Sequence, residues 1–258
     1  MTVRYEVADH VARVTIDRPE RMNAVDSATE KRLIEIWEEI ESRNDIRCIV
    51  LTGAGERAFS AGADMKEPNA KNGVEYWADT RPGGFGGIAL RTTLDVPVIA
   101  RVNGFAFGGG FEMVLGADIV IASEDATFGL TEPRVGRLPL EGGMVLLPRR
   151  VPRNLAMGLL LTGRRFAAAD LHRWGLVNEV VPRDKLDEAV DAWVADVVAC
   201  APLSIRAIKH TVNRTSHLSP VEAQALRTGP LLAALASEDS QEGVRAFVEK
   251  RAPVWQGR

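Results

Sequence analysis

The stretch that most narrows the folds open to this chain is Gly108-Gly109-Gly110-Phe111-Glu112. Glycine is the poorest ordinary helix former. Yet these three open a run, Phe111-Glu112-Met113-Val114-Leu115, that reads as helix. Upstream, Pro97 starts an apolar strand that runs to Val102, and downstream Ile119-Val120-Ile121-Ala122 reads as another strand. Such alternation of strand and helix belongs to an α/β core. A helix N-terminus carries unpaired N–H groups and a partial positive charge, and glycines let another atom approach them closely. Two readings stay open. One is an oxyanion site with Glu112 beside the bound group. The other is a close strand–helix contact in which Glu112 only complements the helix dipole.

Before that stretch, Val3, Tyr5 and Val7 alternate with polar residues, Asp9-His10 turns the chain, and Val11 to Ile16 follows. A β-hairpin is expected. Asp26 or Ser27 can cap the next element, in which Leu33, Ile36, Trp37 and Ile40 share one helical face. Residues 47–52 read as a buried strand. Residues 66–87, irregular and rich in glycine, read as a mobile surface loop, and 88–94 as a helix. Later segments are mostly helical, at 155–161, 167–174, 185–198, 203–215 and 239–250, with one strand at 177–181. Pro202 marks a hinge into a helical C-terminal part.

The chain has 258 residues, enough for one large domain. Its net charge of −3 argues against a chain-wide basic footprint for nucleic acid or an anionic membrane. The two cysteines, Cys48 and Cys200, have no metal-type spacing. No signal-peptide core opens the chain, and no apolar run approaches the ~18 residues of a membrane span. A soluble cytoplasmic protein is expected. The glycines are not a dinucleotide loop, because G-x-G-x-x-G needs glycine where Met113 stands. Ala58-Phe59-Ser60-Ala61-Gly62 misses the first glycine of a nucleophile elbow. His10, His172, His210 and His217 lie in turns or helices without a companion ligand, and zinc has no ligand set. Backbone donors and carboxylates remain as the available chemistry.

Several motifs now fall into one order. They are Ser60-Ala61-Gly62-Ala63-Asp64-Met65-Lys66, Pro97-Val98-Ile99-Ala100-Arg101-Val102-Asn103-Gly104, the triple glycine with Glu112, Ala117-Asp118-Ile119, Phe128-Gly129, Leu161-Thr162-Gly163-Arg164 and Trp174-Gly175-Leu176-Val177. Along nearly the whole chain they resemble the crotonase (enoyl-CoA hydratase/isomerase) superfamily. The resemblance implies an α/β fold, the ClpP-like crotonase spiral of β-β-α turns, with the acyl-CoA site in residues 1–200. It implies a helical trimerisation region over residues 201–258 and assembly as a homotrimer or a dimer of trimers. It also implies an acyl-CoA thioester substrate. No cofactor is expected beyond the coenzyme A of that substrate, and no metal, nucleic acid or membrane.

By motif position, Ala63 and Gly109 match the two backbone donors that hold the thioester oxygen, and the glycines would clear space for it. Glu112 and, twenty residues on, Glu132 match the two glutamates of the family's hydratases. Arg21, Ala24, Ala61, Asp64, Met65, Lys66, Gly108, Phe247 and Lys250 match substrate- and CoA-binding positions, with Arg251 a further basic candidate. Phe247 is expected to close a neighbouring copy's site. Water addition needs one group to place and deprotonate water and another to protonate the α-carbon. Two close carboxylates in a dry pocket titrate as a pair and supply both. An isomerase can work with the glutamate at 132 alone, so Glu112 favours a hydratase. A non-catalytic acyl-CoA-binding protein would be signalled by loss of both glutamates.

Within the superfamily, Phe107 to Glu112 and the tail Phe247-Val248-Glu249-Lys250-Arg251-Ala252-Pro253-Val254-Trp255 resemble carnitinyl-CoA dehydratase-like members. Where those carry aspartate, four residues after Gly136, this chain has Leu140, followed by Glu141. Glu141 reads either as a third active-site acid or as a first-turn glutamate facing the dipole of a helix after Gly142.

Overall fold

The opening alternation forms its hairpin in the computed structural model, which describes residues 2–68, 73–79, 81 and 83–258. β1 (Val3–Ala8) pairs antiparallel with β2 (Val11–Ile16). Asp9 and His10 take φ of 48° and 68° in the turn between them. β2 then starts a parallel series with β3 (Cys48–Gly53), β5 (Val98–Val102), β7 (Ile119–Ser123) and β10 (Glu179–Val181), in the order β1-β2-β3-β5-β7-β10. Short strands β4 (Ala58–Ser60), β6 (Phe105–Phe107) and β8 (Thr127–Gly129) form a second, parallel set, closed by antiparallel β9 (Phe166–Ala167). Each winding lays a long strand in the large sheet and then a short one in the small sheet: β3 then β4, β5 then β6, β7 then β8. This is the expected spiral.

Two buried asparagines hold the corners. Asn103 Nδ2 donates to the carbonyls of Gly53 at 3.0 Å and Gly55 at 2.6 Å. Asn23 Nδ2 donates to those of Ala54 at 2.9 Å and Ala58 at 2.7 Å. Corner carbonyls have no ladder partner, and burying them without a donor is costly.

α1 (Ser27–Ser42) buries Leu33, Ile36, Trp37 and Ile40 completely. Asp26 is its cap: Oδ1 accepts from the Thr29 N–H at 2.8 Å, and Oδ2 pairs with Arg18 at 3.0 Å. Asp26→Ala removes both contacts. We expect a loss near the upper end of the ~0.5–2 kcal/mol range for caps, with Asp26→Asn retaining most of it, read from urea unfolding midpoints.

The next segment departs from expectation. Part of the loop assigned to 66–87 lies outside the described residues. Among those described, Gly73–Ala78 is a helix, α2, and Phe85–Gly87 is a buried 3-10 turn. Residues 88–94 do not form a helix. Gly83, Gly84, Gly86 and Gly87 all take positive φ, between 62° and 81°. Leu90 is drawn back to the Gly83 carbonyl at 2.7 Å. Phe85, Ile88 and Ala89 are buried there by a glycine-rich turn folded under α1, where the Trp37 indole N–H donates to the Gly86 carbonyl at 2.8 Å, while Leu90 stays exposed.

α3 (Gly109–Gly116) follows β6, and α4 (Gly143–Arg150), α5 (Arg153–Thr162) and α6 (Ala168–Arg173) complete the windings. α7 (Leu186–Val198) covers the outer face of the large sheet, setting Leu186, Val190 and Val194 on Cys48, Val50, Ile99 and Ile121. α8 (Pro202–Thr215) begins at the expected proline, and α9 (Pro220–Ala225), α10 (Gly229–Ala236) and α11 (Glu238–Glu249) follow. Arg206 on α8 donates to the carbonyls of Arg43 and Ile46 at 2.8 and 2.9 Å, and Lys209 binds Asp118 at 2.6 Å. α10 packs on α8. No helix among the described residues is long and apolar enough to cross a membrane.

Candidate active site

Each glycine at the entrance of α3 has its own neighbour. A β-carbon at Gly110 would lie 2.2 Å from the Ser60 carbonyl, one at Gly109 2.5 Å from the Phe85 ring, and one at Gly108 3.1 Å from Glu132 Oε1. The bare backbone therefore admits protein groups first, and at Gly110 it makes the close strand–helix contact that was the second reading of these glycines. Gly108 has φ 53°, a region that favours glycine. Gly62, at φ 85°, crosses so close to α3 that a β-carbon there would stand 2.9 Å from Gly109 N. The backbone of 61–63 thus passes directly over the N-terminus of α3. Val25 fixes it, donating to the Gly62 carbonyl at 2.8 Å and accepting from Asp64 N at 2.9 Å. Gly109 is the first helical residue, beyond the reach of the helix's own carbonyls. Among the described residues, neither its N–H nor that of exposed Ala63 donates a hydrogen bond.

Two carboxylates stand at this entrance. Glu112 is 2% exposed, and its Oε1 accepts from the N–H groups of Glu141 at 3.0 Å and Gly143 at 2.8 Å. These amides lie at the N-terminus of α4, a natural anion site. The carboxylate bonded to the N-terminus of α4 is therefore Glu112, and Glu141 stands before that helix's N-cap, outside its first turn. Burial pushes Glu112 up to about 8, repulsion from Glu132 and Glu141 adds to it, and the two amides hold it back. Glu132 opens the 3-10 turn Glu132–Val135 and lies over Gly108. Burial raises it too, and its Oε2 is buried with no hydrogen-bond partner.

A carboxyl raised on folding holds its proton better folded than unfolded. Its stabilising contribution is complete below the unfolded value, 4.5, and is lost as pH rises through the folded value, about 8. Glu112→Gln keeps an Oε1 for both amides but cannot ionise. We expect wild-type thermal stability to fall between pH 5 and 8, and Glu112→Gln to fall less. Parallel slopes in the two melting series would contradict this.

Of the remaining expected residues, the 21–24 segment lies against the 61–64 loop, where the Ala61 N–H donates to the Met22 carbonyl at 3.0 Å and Arg18 joins the Ala24 carbonyl to Asp64. Ala24 is buried, with its carbonyl accepting from Arg18 at 2.5 Å. Asp64 is committed within the loop, to Arg18 at 3.0 Å and the Lys66 N–H at 3.0 Å. Arg21, Ala61, Met65 and Lys66 are exposed, the last three within three residues of Asp64. Phe247 on α11 is 85% exposed, and Lys250 caps that helix at φ 55°. Arg251 is paired with Glu242 and Glu249, both at 2.6 Å. Among the described residues, no hydrogen bond or ion pair joins α11 to the glycine entrance. The Ser60 hydroxyl is spent on the Asn23 carbonyl at 2.8 Å and the Gly62 N–H at 3.1 Å. His10 and His172 bind backbone carbonyls, and His210 binds Asp95.

Four residues went unnoticed in the sequence. Phe85 packs on Gly109. Glu30, on α1, pairs with Arg81 at 2.8 Å, and Arg81 lies 4.0 Å over the Tyr76 ring. Their positions, spread from 30 to 85 with no motif, carried no signal.

The family model for enoyl-CoA hydratase/isomerase matches residues 6–258. A carnitinyl-CoA dehydratase of Salmonella typhi is 42% identical over 253 residues, covering 96% of this chain and 95% of that protein. The crystal structure of an enoyl-CoA hydratase from Bacillus anthracis superposes with a TM-score of 0.91 at 31% identity, covering 100% of both chains. An enoyl-CoA hydratase from Mycobacterium tuberculosis H37Rv gives 0.89 at 32% identity, covering 100% of this chain and 99% of that one.

Proposed function

The chain belongs to the enoyl-CoA hydratase/isomerase family, and from that premise we propose that Glu112 and Glu132 are the acid/base pair of a hydro-lyase. The protein is an enoyl-CoA hydratase or dehydratase. It adds water across the 2,3 double bond of an acyl-CoA thioester, or removes it. The observation that carries the residue assignment is the pairing of two unbonded amides, Ala63 and Gly109, with two carboxyls raised by burial around one bare helix entrance.

In our reading the thioester oxygen accepts from the Ala63 and Gly109 N–H groups. Glu112, its Oε1 fixed by α4, takes a proton from water through Oε2 as the water oxygen attacks the β-carbon. The double-bond electrons move onto the thioester as an enolate, whose charge the two amides stabilise. Glu132 then delivers its proton to the α-carbon. Hydration starts with the shared proton on Glu132. Dehydration starts with it on Glu112, which protonates the departing hydroxyl while Glu132 takes the α-proton. Repulsion keeps the two from ionising together. No cofactor enters this scheme, since coenzyme A arrives with the substrate.

The test is incubation with crotonyl-CoA in heavy water. We expect loss of the enoyl absorbance and a 3-hydroxyacyl-CoA carrying deuterium at the α-carbon. Efficient double-bond migration on 3-enoyl-CoA with no hydrated product from crotonyl-CoA would assign an isomerase instead.

The C-terminal helices leave much apolar surface uncovered: Val212 at 62% exposed, Leu235 at 76%, Val244 at 67%, Phe247 at 85% and Val248 at 73%. Patches of this kind mark association surfaces. We therefore expect a homotrimer or a dimer of trimers, with Phe247 and Lys250 completing a neighbour's CoA site. A stable monomer in sedimentation at micromolar concentration would refute this.

A further inference from the structure

Resting on the hydratase reading above, we propose that Glu141 is a specificity-determining residue that selects acyl chains carrying a hydrogen-bond donor, a hydroxyl or a protonated amine, on the carbon next beyond the double bond. The Glu141 N–H is bonded to Glu112 Oε1 at 3.0 Å, which fixes this residue beside the carboxylate assigned to water. Glu141 is only 9% exposed, and among the described residues its carboxylate accepts no hydrogen bond and makes no ion pair. Charged side chains this little exposed are paired as a rule. Among those residues, neither Glu141 oxygen has a donor and, unlike Glu132 Oε2, neither is sealed off, so both look onto open space.

The nearby cation does not fill that need. Arg81 is committed to Glu30 at 2.8 Å and lies over the Tyr76 ring at 4.0 Å. Glu30 is further fixed by the Gly86 N–H at 3.3 Å. Among the described residues, the wall around Glu141 thus sets Glu30, Glu112 and Glu141 against Arg81, an arrangement hostile to an anionic acyl chain and open to a donor. Placement along the substrate follows from the order of the three acids. Glu132 lies over Gly108 at the mouth of α3, whereas Glu141 is tied by its N–H to Glu112 Oε1, one turn further into that helix. Glu112 therefore stands between them. With Glu132 at the α-carbon and Glu112 at the β-carbon, Glu141 faces the next carbon.

The test compares kcat/KM for 4-hydroxycrotonyl-CoA with that for 2-pentenoyl-CoA, which replaces the hydroxyl by a methyl group. Sites that bond a substrate hydroxyl reject the analogue lacking it far more strongly than apolar pockets reject a size change. We expect the wild type to favour the hydroxylated thioester by about tenfold or more. Glu141→Leu should abolish that preference, and Glu141→Gln, which keeps an acceptor oxygen, should retain much of it. The affinities of the two saturated thioesters, measured by calorimetry on the same variants, should follow the same pattern without turnover. Equal wild-type rates on the two enoyl thioesters, or an unchanged ratio in Glu141→Leu, would overturn the proposal. So would a preference for a chain ending in carboxylate, which would make Arg81 the reader. Binding that discriminates through Glu141 in a protein that hydrates nothing would sink the hydratase reading alone. Hydration of every thioester without discrimination would sink the Glu141 proposal alone.

Discussion

Glu112→Gln should slow hydration of a 2-enoyl-CoA by ~100- to 10,000-fold, the usual worth of general acid–base catalysis. The structure argues that this loss would be chemical. A glutamine oxygen can accept the same two amides, Glu141 N and Gly143 N, that now hold Oε1. The α3–α4 contact therefore survives, and only the proton acceptor disappears. Glu132→Gln should cost a similar factor. The double variant should lose less than the product of the two, because the carboxyls act as one unit. On a 3-enoyl-CoA, any isomerisation should depend on Glu132 far more than on Glu112, since that reaction moves a proton and places no water. Stopped-flow loss of the enoyl absorbance measures all four proteins. Hydration by Glu112→Gln at the wild-type rate would remove Glu112 from the water-handling position.

What the sequence disclosed and what it hid divide along the physics of each segment. The hairpin, α1 and the parallel strands were legible because their apolar period is local: Leu33, Ile36, Trp37 and Ile40 lie on one face whatever surrounds them. The family motifs placed Ala63, Gly109, Glu112 and Glu132, and the fold confirms that Gly62, Gly108 and Glu132 crowd one helix entrance. Residues 83–94 misled because their apolar content is real while their backbone is set by four glycines at positive φ, which hydrophobic patterning cannot register. The triple glycine was read either for a substrate oxygen or for a close strand–helix contact, and Gly110 against the Ser60 carbonyl of β4 is such a contact. That Phe85, twenty-four residues before Gly109, fills the space over it follows only from the winding of the chain. Glu141 was ambiguous for a similar reason. Its position suggested the first turn of a helix, but α4 starts two residues later, at Gly143, and a carboxylate from α3 is bonded to its N-terminus.

Removing the Gly109 donor should lower kcat by ~100- to 1000-fold, the cost of losing one oxyanion-hole hydrogen bond. Proline is the substitution that deletes the N–H, and the first helical position tolerates its fixed φ. The obstacle is space, because any β-carbon at 109 would meet the Phe85 ring at 2.5 Å. Phe85→Leu shortens that side chain, so the informative pair is Gly109→Ala and Gly109→Pro, both in the Phe85→Leu background. Alanine and proline impose a β-carbon alike, and only proline lacks the donor. The ratio of their rates isolates the hydrogen bond from the crowding. It should fall mainly on kcat, since the thioester oxygen gains its negative charge after binding. Circular dichroism and melting temperature must agree between the two proteins for the comparison to stand. If the proline variant then hydrates as fast as the alanine variant, the Gly109 N–H does not hold the oxyanion, and Ala63 acts with some other donor.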